Sequence, residues 1–447
     1  MTMITRIEVD GFKSFRNFAI DLQPFQVLIG PNGAGKSNLF DAITLLSHLA
    51  GDNTLYKAFR QSRGDIGELF TILPGGQRIK QMSFAVEMLI GKQVTDTFGV
   101  TANVSSTRLR YELHIECRTE RGFEKLYINR ESLRPITGDD DKWFKSNIPA
   151  QKRNDWIVRK RREAYISTDP VTSRIYKHQD RRSGKKQETP LGKIERTILS
   201  SVASAEYPTA YAARQEMISW RLLQLIPQAL RTPSSIYDPT DLLSDGSNLA
   251  AVLYRMSHEN KSILSRVSGD MANIVPGILD ISIRALTGRE ELLIEATAPD
   301  SALFSSHALS EGTLRILTIV TLKNDPTHQG VICFEEPENG VHPGGLQNMV
   351  AILQSMTTNF MEDQSETVRQ VLVNTHSPAL LNYVEPSNLL FVHMATEGVR
   401  TTQMSPITVN PKLFPDDTSS RKYAIHEVMQ YLNPKPFSDK YQSLEQL

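Results

Sequence analysis

Gly30-Pro31-Asn32-Gly33-Ala34-Gly35-Lys36-Ser37 is the stretch on which the fold turns. It matches the phosphate-loop pattern G-x-x-x-x-G-K-[ST] without a mismatch. Ahead of it, Phe25-Gln26-Val27-Leu28-Ile29 reads as a short buried strand, and behind it residues 38–46 carry helical apolar spacing. A strand, a glycine loop and a helix in that order wrap backbone N–H groups and a helix N-terminus around a polyphosphate. Gly30, Gly33 and Gly35 supply the backbone angles and the close approach. Asn32, Ala34 and Asn38 complete the cradle. Lys36 is expected to reach the β- and γ-phosphates, and the Ser37 hydroxyl to hold Mg²⁺.

The bulk numbers narrow the setting. At 447 residues the chain is long enough for two or three domains, or one domain with a large insertion. Fifty basic residues balance fifty acidic ones, so any contact with nucleic acid must come from a local patch. Two cysteines, Cys117 and Cys333, make no disulfide framework and fit a reducing cytoplasm. No apolar run approaches the ~20 residues of a membrane span, so no membrane partner is expected. The N-terminus alternates like a first strand and has no signal-peptide profile.

Organisation follows from periodicity. Residues 82–88, 109–115 and 125–128 alternate and predict an antiparallel sheet with one wet face. Residues 151–187 hold twelve Lys and Arg against four Asp and Glu, a local charge of +8. Helical spacing resumes over about 190–230, including 217–226, and a turn at Asp245-Gly246-Ser247-Asn248 leads into a helix over 249–256. A hairpin is predicted over 281–298. From 309 onward helices alternate with buried strands at 330–334, 370–374 and 388–393.

Four constellations add chemistry to the loop. Val331-Ile332-Cys333-Phe334-Glu335-Glu336 is an apolar strand ending in two carboxylates. Glu335 suits water-mediated support of Mg²⁺, and Glu336 suits polarising an attacking water. In Leu309-Ser310-Glu311-Gly312-Thr313-Leu314-Arg315, Ser310 caps a helix whose N-terminus favours an anion, and Gly312 keeps the surface bare. Thr375-His376-Ser377-Pro378 follows a buried strand and puts His376 near the γ-phosphate. Asp10-Gly11-Phe12-Lys13-Ser14-Phe15 reads either as a nucleotide contact through Lys13 or Ser14, or as a hairpin with two core aromatics.

In this order the motifs resemble the ABC-type ATPase heads of the SMC, RecF and OLD (overcoming lysogenization defect) group. Segment 7–43 is similar to an SMC head. Arg231-Thr232-Pro233, Asp245-Gly246-Ser247-Asn248-Leu249 and the distal motifs are more similar to OLD-family and related AAA-type ATPases. The resemblance covers residues 4–46 and 231–395 and implies ATP and Mg²⁺ as ligands. It makes Gly30–Ser37 the Walker A loop, Glu335 the Walker B acid and Glu336 the catalytic glutamate. Residues 309–313 become the ABC signature, 339–343 the D-loop region, and His376 the switch histidine; Lys36 acts with Glu336 and His376 in catalysis. Two departures stand out. Glu335 occupies a position where Asp is commoner, and the glutamine-loop residue stays open between Gln61 and Glu68. The TOPRIM nuclease that follows OLD heads needs an Asp-x-Asp pair, which the residues after His376 lack. Asp139-Asp140-Asp141 reads as a solvated turn.

The expected fold is therefore α/β: a P-loop NTPase head of ABC type, with a mixed sheet flanked by helices, an antiparallel β subdomain and a mostly helical basic insertion. The expected divisions are an N-terminal lobe over 1–135, the insertion over 136–235, a C-terminal lobe over 236–400 and a tail over 401–447. The resemblance implies an ATP-hydrolysing switch without its own nuclease, pairing head to tail with a second copy in the cytoplasm. By analogy it acts in bacterial anti-phage defence with a nuclease or toxin partner in trans. Two alternatives stand beside it: a RecF-like DNA-repair ATPase, and an ATP-gated scaffold that sequesters a partner without turnover. Arg159, Lys160, Arg161 and Arg162, with Trp156, Tyr165 and Tyr176 nearby, read either as a DNA-tracking patch or as a solvated face.

Overall fold

Buried apolar runs build the central layer. The computed structural model describes residues 3–181, 184, 186–286, 288–327, 330–362, 369–395, 399–408 and 423–432. Its central sheet runs Arg221–Leu223, Gly330–Glu335, Arg369–Thr375, Phe25–Ile29, Leu389–Ala395, Thr401–Thr408, Tyr423–Ala424. The first five strands are mutually parallel; Thr401–Thr408 returns antiparallel to its neighbour. The three middle strands are buried almost throughout, because both faces are covered, and they read as mostly apolar runs for that reason.

Side chains still alternate between the faces. Leu28, Val331, Cys333 and Leu372 join one core cluster with the helices Lys36–Ala50 and Pro208–Ser219. Val27, Ile29, Ile332, Phe334, Val371 and Val373 join another, with Leu249–Glu259, Ser262–Ile274, Glu311–Asn324 and Leu346–Ser355.

The second sheet is antiparallel and eight-stranded. Its order is Lys186–Pro190, Arg174–His178, Ile166–Asp169, Phe123–Pro135, Arg108–Glu120, Gln81–Leu89, Met3–Asp10, Phe18–Asp21. Along Arg108–Glu120 the odd positions from Leu109 to Cys117 are buried and the even ones between them are half-exposed, as the alternation predicts. Gln370 stitches the sheets together: its Oε1 accepts from Ile4 N (2.9 Å) and its Nε2 donates to Ile4 O (2.8 Å). A small third sheet, built from Ser234–Ser235, Asp280–Leu286, Glu291–Thr297 and Leu303–Ser305, lies just ahead of Ser310 in sequence.

The α/β head with its antiparallel subdomain is thus present, and three expectations need correction. The 136–235 segment is not mostly helical. Its strands Ile166–Asp169, Arg174–His178 and Lys186–Pro190 extend the antiparallel sheet, and Arg221–Leu223 forms the edge of the central sheet. Its basic residues share strands with inward-facing ones, as in Arg174–His178, where Ile175 and Lys177 are buried. The helix expected through 217–226 stops at Ser219, where Trp220 turns extended and donates its indole N–H back to Glu216 (2.8 Å). Asp141 is not solvated. It is fully buried, forms a bidentate ion pair with Arg108 (2.8 and 2.9 Å), and caps the helix Lys142–Asn147; only Asp139 and Asp140 are exposed. Most of the expected tail after 408 lies outside the described residues. Cys117 and Cys333 are both buried free thiols. Among the described residues no helix is long and apolar enough to cross a membrane.

Candidate nucleotide-hydrolysis site

The loop leaves the C-terminal end of Phe25–Ile29 and enters a helix at Lys36. Gly35 caps that helix at φ 93°, in the left-handed region, without any side-chain hydrogen bond to the first N–H groups. Gly30 serves a different end: a Cβ there would stand 2.1 Å from the Val392 carbonyl oxygen of the neighbouring strand. Lys36 folds its ammonium over the loop, donating to Gly30 O (2.7 Å) and Pro31 O (3.0 Å). Burial lowers the Lys36 pKa, and the charges of Glu336 and Glu338 work against that.

The two carboxylates arrive from the adjacent strands. Glu335 ends Gly330–Glu335, two strands away from the loop strand across Arg369–Thr375. Asn374 on that intervening strand ties the parts together. Its Nδ2 lies 3.3 Å from Ser37 Oγ and 3.4 Å from Glu335 Oε1, and its Oδ1 accepts from Glu336 N at 3.1 Å. Glu336 sits at φ 46°, a conformation that costs a non-glycine residue ~1 kcal/mol or more and that aims its carboxylate. Asn339 Nδ2 bonds one Glu336 oxygen (2.8 Å), and His376 Nδ1 lies 2.8 Å from the other. Burial pushes the Glu336 carboxyl up, but the Asn339 and His376 hydrogen bonds and the charges of His376 and Lys36 outweigh it, leaving the pKa below its ordinary value. Behind it Glu338 is buried against the Thr375 hydroxyl, and burial raises its pKa.

Ser37, Glu335, Glu336, Asn339 and Asn374 line one cavity of about 350 Å³. Two residues that sequence reasoning missed line it as well. Arg63 grips Glu335 (Nη2–Oε1 2.9 Å) and Asp41 (Nε–Oδ1 2.8 Å). Gln224 follows the edge strand Arg221–Leu223 and begins a lining stretch, Gln224 to Pro227. Gln61 and Glu68 do not line it: Gln61 closes a short helix, and Glu68 forms a capping box with Asp65. The only sequence signal for Gln224 is a three-residue strand hidden in a helix-like run. Lys13 neutralises Asp41 (2.6 Å), and Ser14 bonds Asn38 and Thr402.

The signature segment stands apart from this cavity. Ser310 caps Glu311–Asn324 by accepting from Thr313 N (3.2 Å), as expected, and is exposed. Gly312 is bare for a reason internal to the chain: a Cβ there would stand 2.1 Å from the Gly340 carbonyl oxygen. Neither residue lines the cavity, whereas Arg315, held by Glu311 at 2.9 Å, does.

The basic cluster divides in two. Arg159 pairs with Asp141 (3.1 Å) over the Phe144 ring, and Arg161 donates to the carbonyls of Glu163 and Ala164 (both 3.1 Å) over Tyr165. Lys160 and Arg162 are exposed. Tyr165 is fully buried and has no face for a base to stack on.

The donor set fits Mg²⁺. Ser37 Oγ and Glu335 Oε1 converge on the same Asn374 nitrogen, and a hydroxyl with one carboxylate is the hard-oxygen pair that Mg²⁺ takes alongside phosphates and water. Among the described residues no cluster of three or more His, Cys, Asp or Glu is placed to hold a metal ion.

Comparison with known proteins adds the family. The profile described as "AAA domain, putative AbiEii toxin, Type IV TA system" matches residues 25–382. The chain is 43% identical to structural maintenance of chromosomes protein 1 of Schizosaccharomyces pombe over 67 residues, 13% of this chain and 6% of that protein. It is 46% identical to the chromosome partition protein Smc of Methanocaldococcus jannaschii over 44 residues, 10% of this chain and 4% of that protein. The chain thus spans only a small part of these relatives. Among solved structures it is similar to the Smc head domain of Pyrococcus furiosus bound to the C-terminal domain of ScpA (TM-score 0.46, 13% identity, 91% of this chain and 97% of that one). It is also similar to the SMC head domain from Thermotoga maritima (TM-score 0.40, 12% identity, 91% and 100%). The profile match covers well over half of the sequence, and the chain belongs to this AAA-domain family.

Proposed function

We propose that this protein binds and hydrolyses ATP with Mg²⁺, and that the cleavage acts as a switch for pairing with a second copy. The observation that carries the reading is the convergence of Ser37, Glu335 and Glu336 on one cavity from separate parts of the chain, with His376 on the Glu336 carboxylate. Mg²⁺ held by Ser37 and Glu335 would neutralise phosphate charge and orient the terminal group. The chain does the rest. Lys36 leaves the loop carbonyls for the phosphates, and Ser37 and Glu335 hold the metal side. Glu336, aimed by Asn339 and His376, takes a proton from the attacking water. Gln224 lines the same cavity as Ser37 and takes the glutamine-loop role left open between Gln61 and Glu68.

The exposed signature segment supports the pairing. Ser310 and the helix N-terminus it caps lie outside their own cavity, where they are free to close over the phosphates of a second copy. ATP then bridges two surfaces, and its cleavage weakens the bridge. The family's description as a putative AbiEii toxin of a type IV toxin–antitoxin system supports a toxin–antitoxin setting; a defence role with a toxin or nuclease partner in trans is the analogy we carry forward. Lys160 and Arg162, exposed like Arg159 but not held by Asp141, are offered for a contact with DNA.

Steady-state phosphate release tests the chemistry. Glu336→Gln should lower kcat by at least about 10²-fold while a fluorescent ATP analogue binds as in the parent. Turnover that survives in Glu336→Gln removes the assignment. A wild type that binds ATP without releasing phosphate favours the non-hydrolysing scaffold.

A further inference from the structure

Thr402 lies beyond the family match, which ends at residue 382, and beyond every motif discussed above. It nevertheless touches the phosphate loop. Its side chain is buried, with Oγ1 3.0 Å from the Ala34 carbonyl and 2.6 Å from Ser14 Oγ. Its backbone N–H donates to Ser14 O (2.9 Å). Asn38 Nδ2, in the first turn of the loop's helix, donates to Ser14 Oγ at 2.7 Å.

These contacts run in one direction. Asn38 has only hydrogens to give on that nitrogen, and Ala34 O can only accept. Ser14 therefore accepts from Asn38 and donates to Thr402, and Thr402 accepts from Ser14 and donates to Ala34 O. Met394 Sδ, 3.6 Å from Thr402 Oγ1, is the longer and weaker acceptor beside Ala34 O, so the chain closes from the helix after the loop back onto the loop itself. Gly35 makes room for it: a Cβ there would stand 1.9 Å from Thr402 Oγ1. A second glycine requirement of the loop is thus set by a strand near the other end of the sequence.

We propose that Ser14 and Thr402 are positioning residues that hold Ala34 and Gly35 in the shape that receives phosphate, so that the strand Thr401–Thr408 is part of the nucleotide site. The proposal rests on the nucleotide reading above. Phosphate binds the loop through backbone N–H groups, whose directions depend on the peptide planes that Thr402 fixes. Loss of the relay should spread those directions in the empty loop. It should weaken binding without altering the Glu336 chemistry.

The test uses the full chain with Mg²⁺ and a fluorescent ATP analogue. Thr402→Val, of the same shape without the hydroxyl, should raise Kd and KM about threefold to tenfold and leave kcat unchanged, the effect of one neutral hydrogen bond. Thr402→Ser should restore both constants. Ser14→Ala breaks the relay from the other side, and the double variant should be no weaker than the worse single one. Unchanged affinity in Thr402→Val, additive losses in the double variant, or a fall in kcat at constant KM overturns the relay. A wild type that binds no nucleotide overturns the nucleotide reading along with it.

Discussion

Glu336 carries the sharpest consequence at the scale of single residues. It accepts a proton only when ionised, and its pKa lies below the ordinary value because Asn339, His376 and Lys36 favour the charged form over the pull of burial. A group with a lowered pKa keeps its charge as pH falls, so activity should persist into the acid until pH drops through that lowered value. Asn339→Ala removes one of the two hydrogen bonds, and the acid limb of kcat against pH should move upward. Phosphate release between pH 4 and 8 reads the limb directly, and one that stays in place would show that Asn339 does not tune the carboxylate. The residues of this site differ in how openly the sequence declares them. Gly30–Ser37 and Glu335-Glu336 are contiguous, so their spacing alone suggests a phosphate-loop pattern and a strand end with paired carboxylates. Arg63 and Gln224 carry no local pattern. They belong to the cavity only because a short helix and a three-residue edge strand bring them there.

Between residue and molecule stands the joint formed by Arg108 and Asp141. Arg108 begins a long strand of the antiparallel sheet and is fully buried. Asp141 meets it bidentately, and Thr5 Oγ1 on the first strand accepts from Nη1 at 2.9 Å. One guanidinium thus fastens two strands and the helix Lys142–Asn147. Asp141→Ala would strand that cation away from water, and the loss should be about 3–5 kcal/mol. Urea unfolding followed by circular dichroism measures it; a loss below about 1 kcal/mol would mean that Glu87, 3.7 Å away, already carries the pairing. Period-two and period-3.6 patterns disclose the strands and helices of the two lobes because each has one buried face or two. They fail over 166–190. There the inward positions include Lys177, buried over Tyr207, so charge dominates the composition and conceals the alternation. The same composition makes Arg159 and Arg161 look available, although Asp141 and backbone carbonyls hold them.

On the scale of the whole molecule, the cavity is built from both ends of the chain while the signature segment is left outside it. Ser310 is exposed at the start of a fourteen-residue helix, and Leu303 and Phe304 on the preceding strand are exposed too. A second copy that brings this surface over the loop would cover apolar area and give the terminal phosphate a helix N-terminus. The contact would be reciprocal, each copy lending its signature to the other's cavity, as a two-fold pair requires. Blocking hydrolysis should trap that pair. Glu336→Gln with ATP and Mg²⁺ should double in mass by light scattering and stay single with ADP. Adding Ser310→Arg to the same chain puts a bulky side chain on the exposed face without touching the chain's own cavity. The double variant should therefore bind the fluorescent analogue as before and stay single with ATP. A Glu336→Gln chain that never doubles would remove the pairing switch. Doubling that survives Ser310→Arg would keep the switch and move its interface to another face.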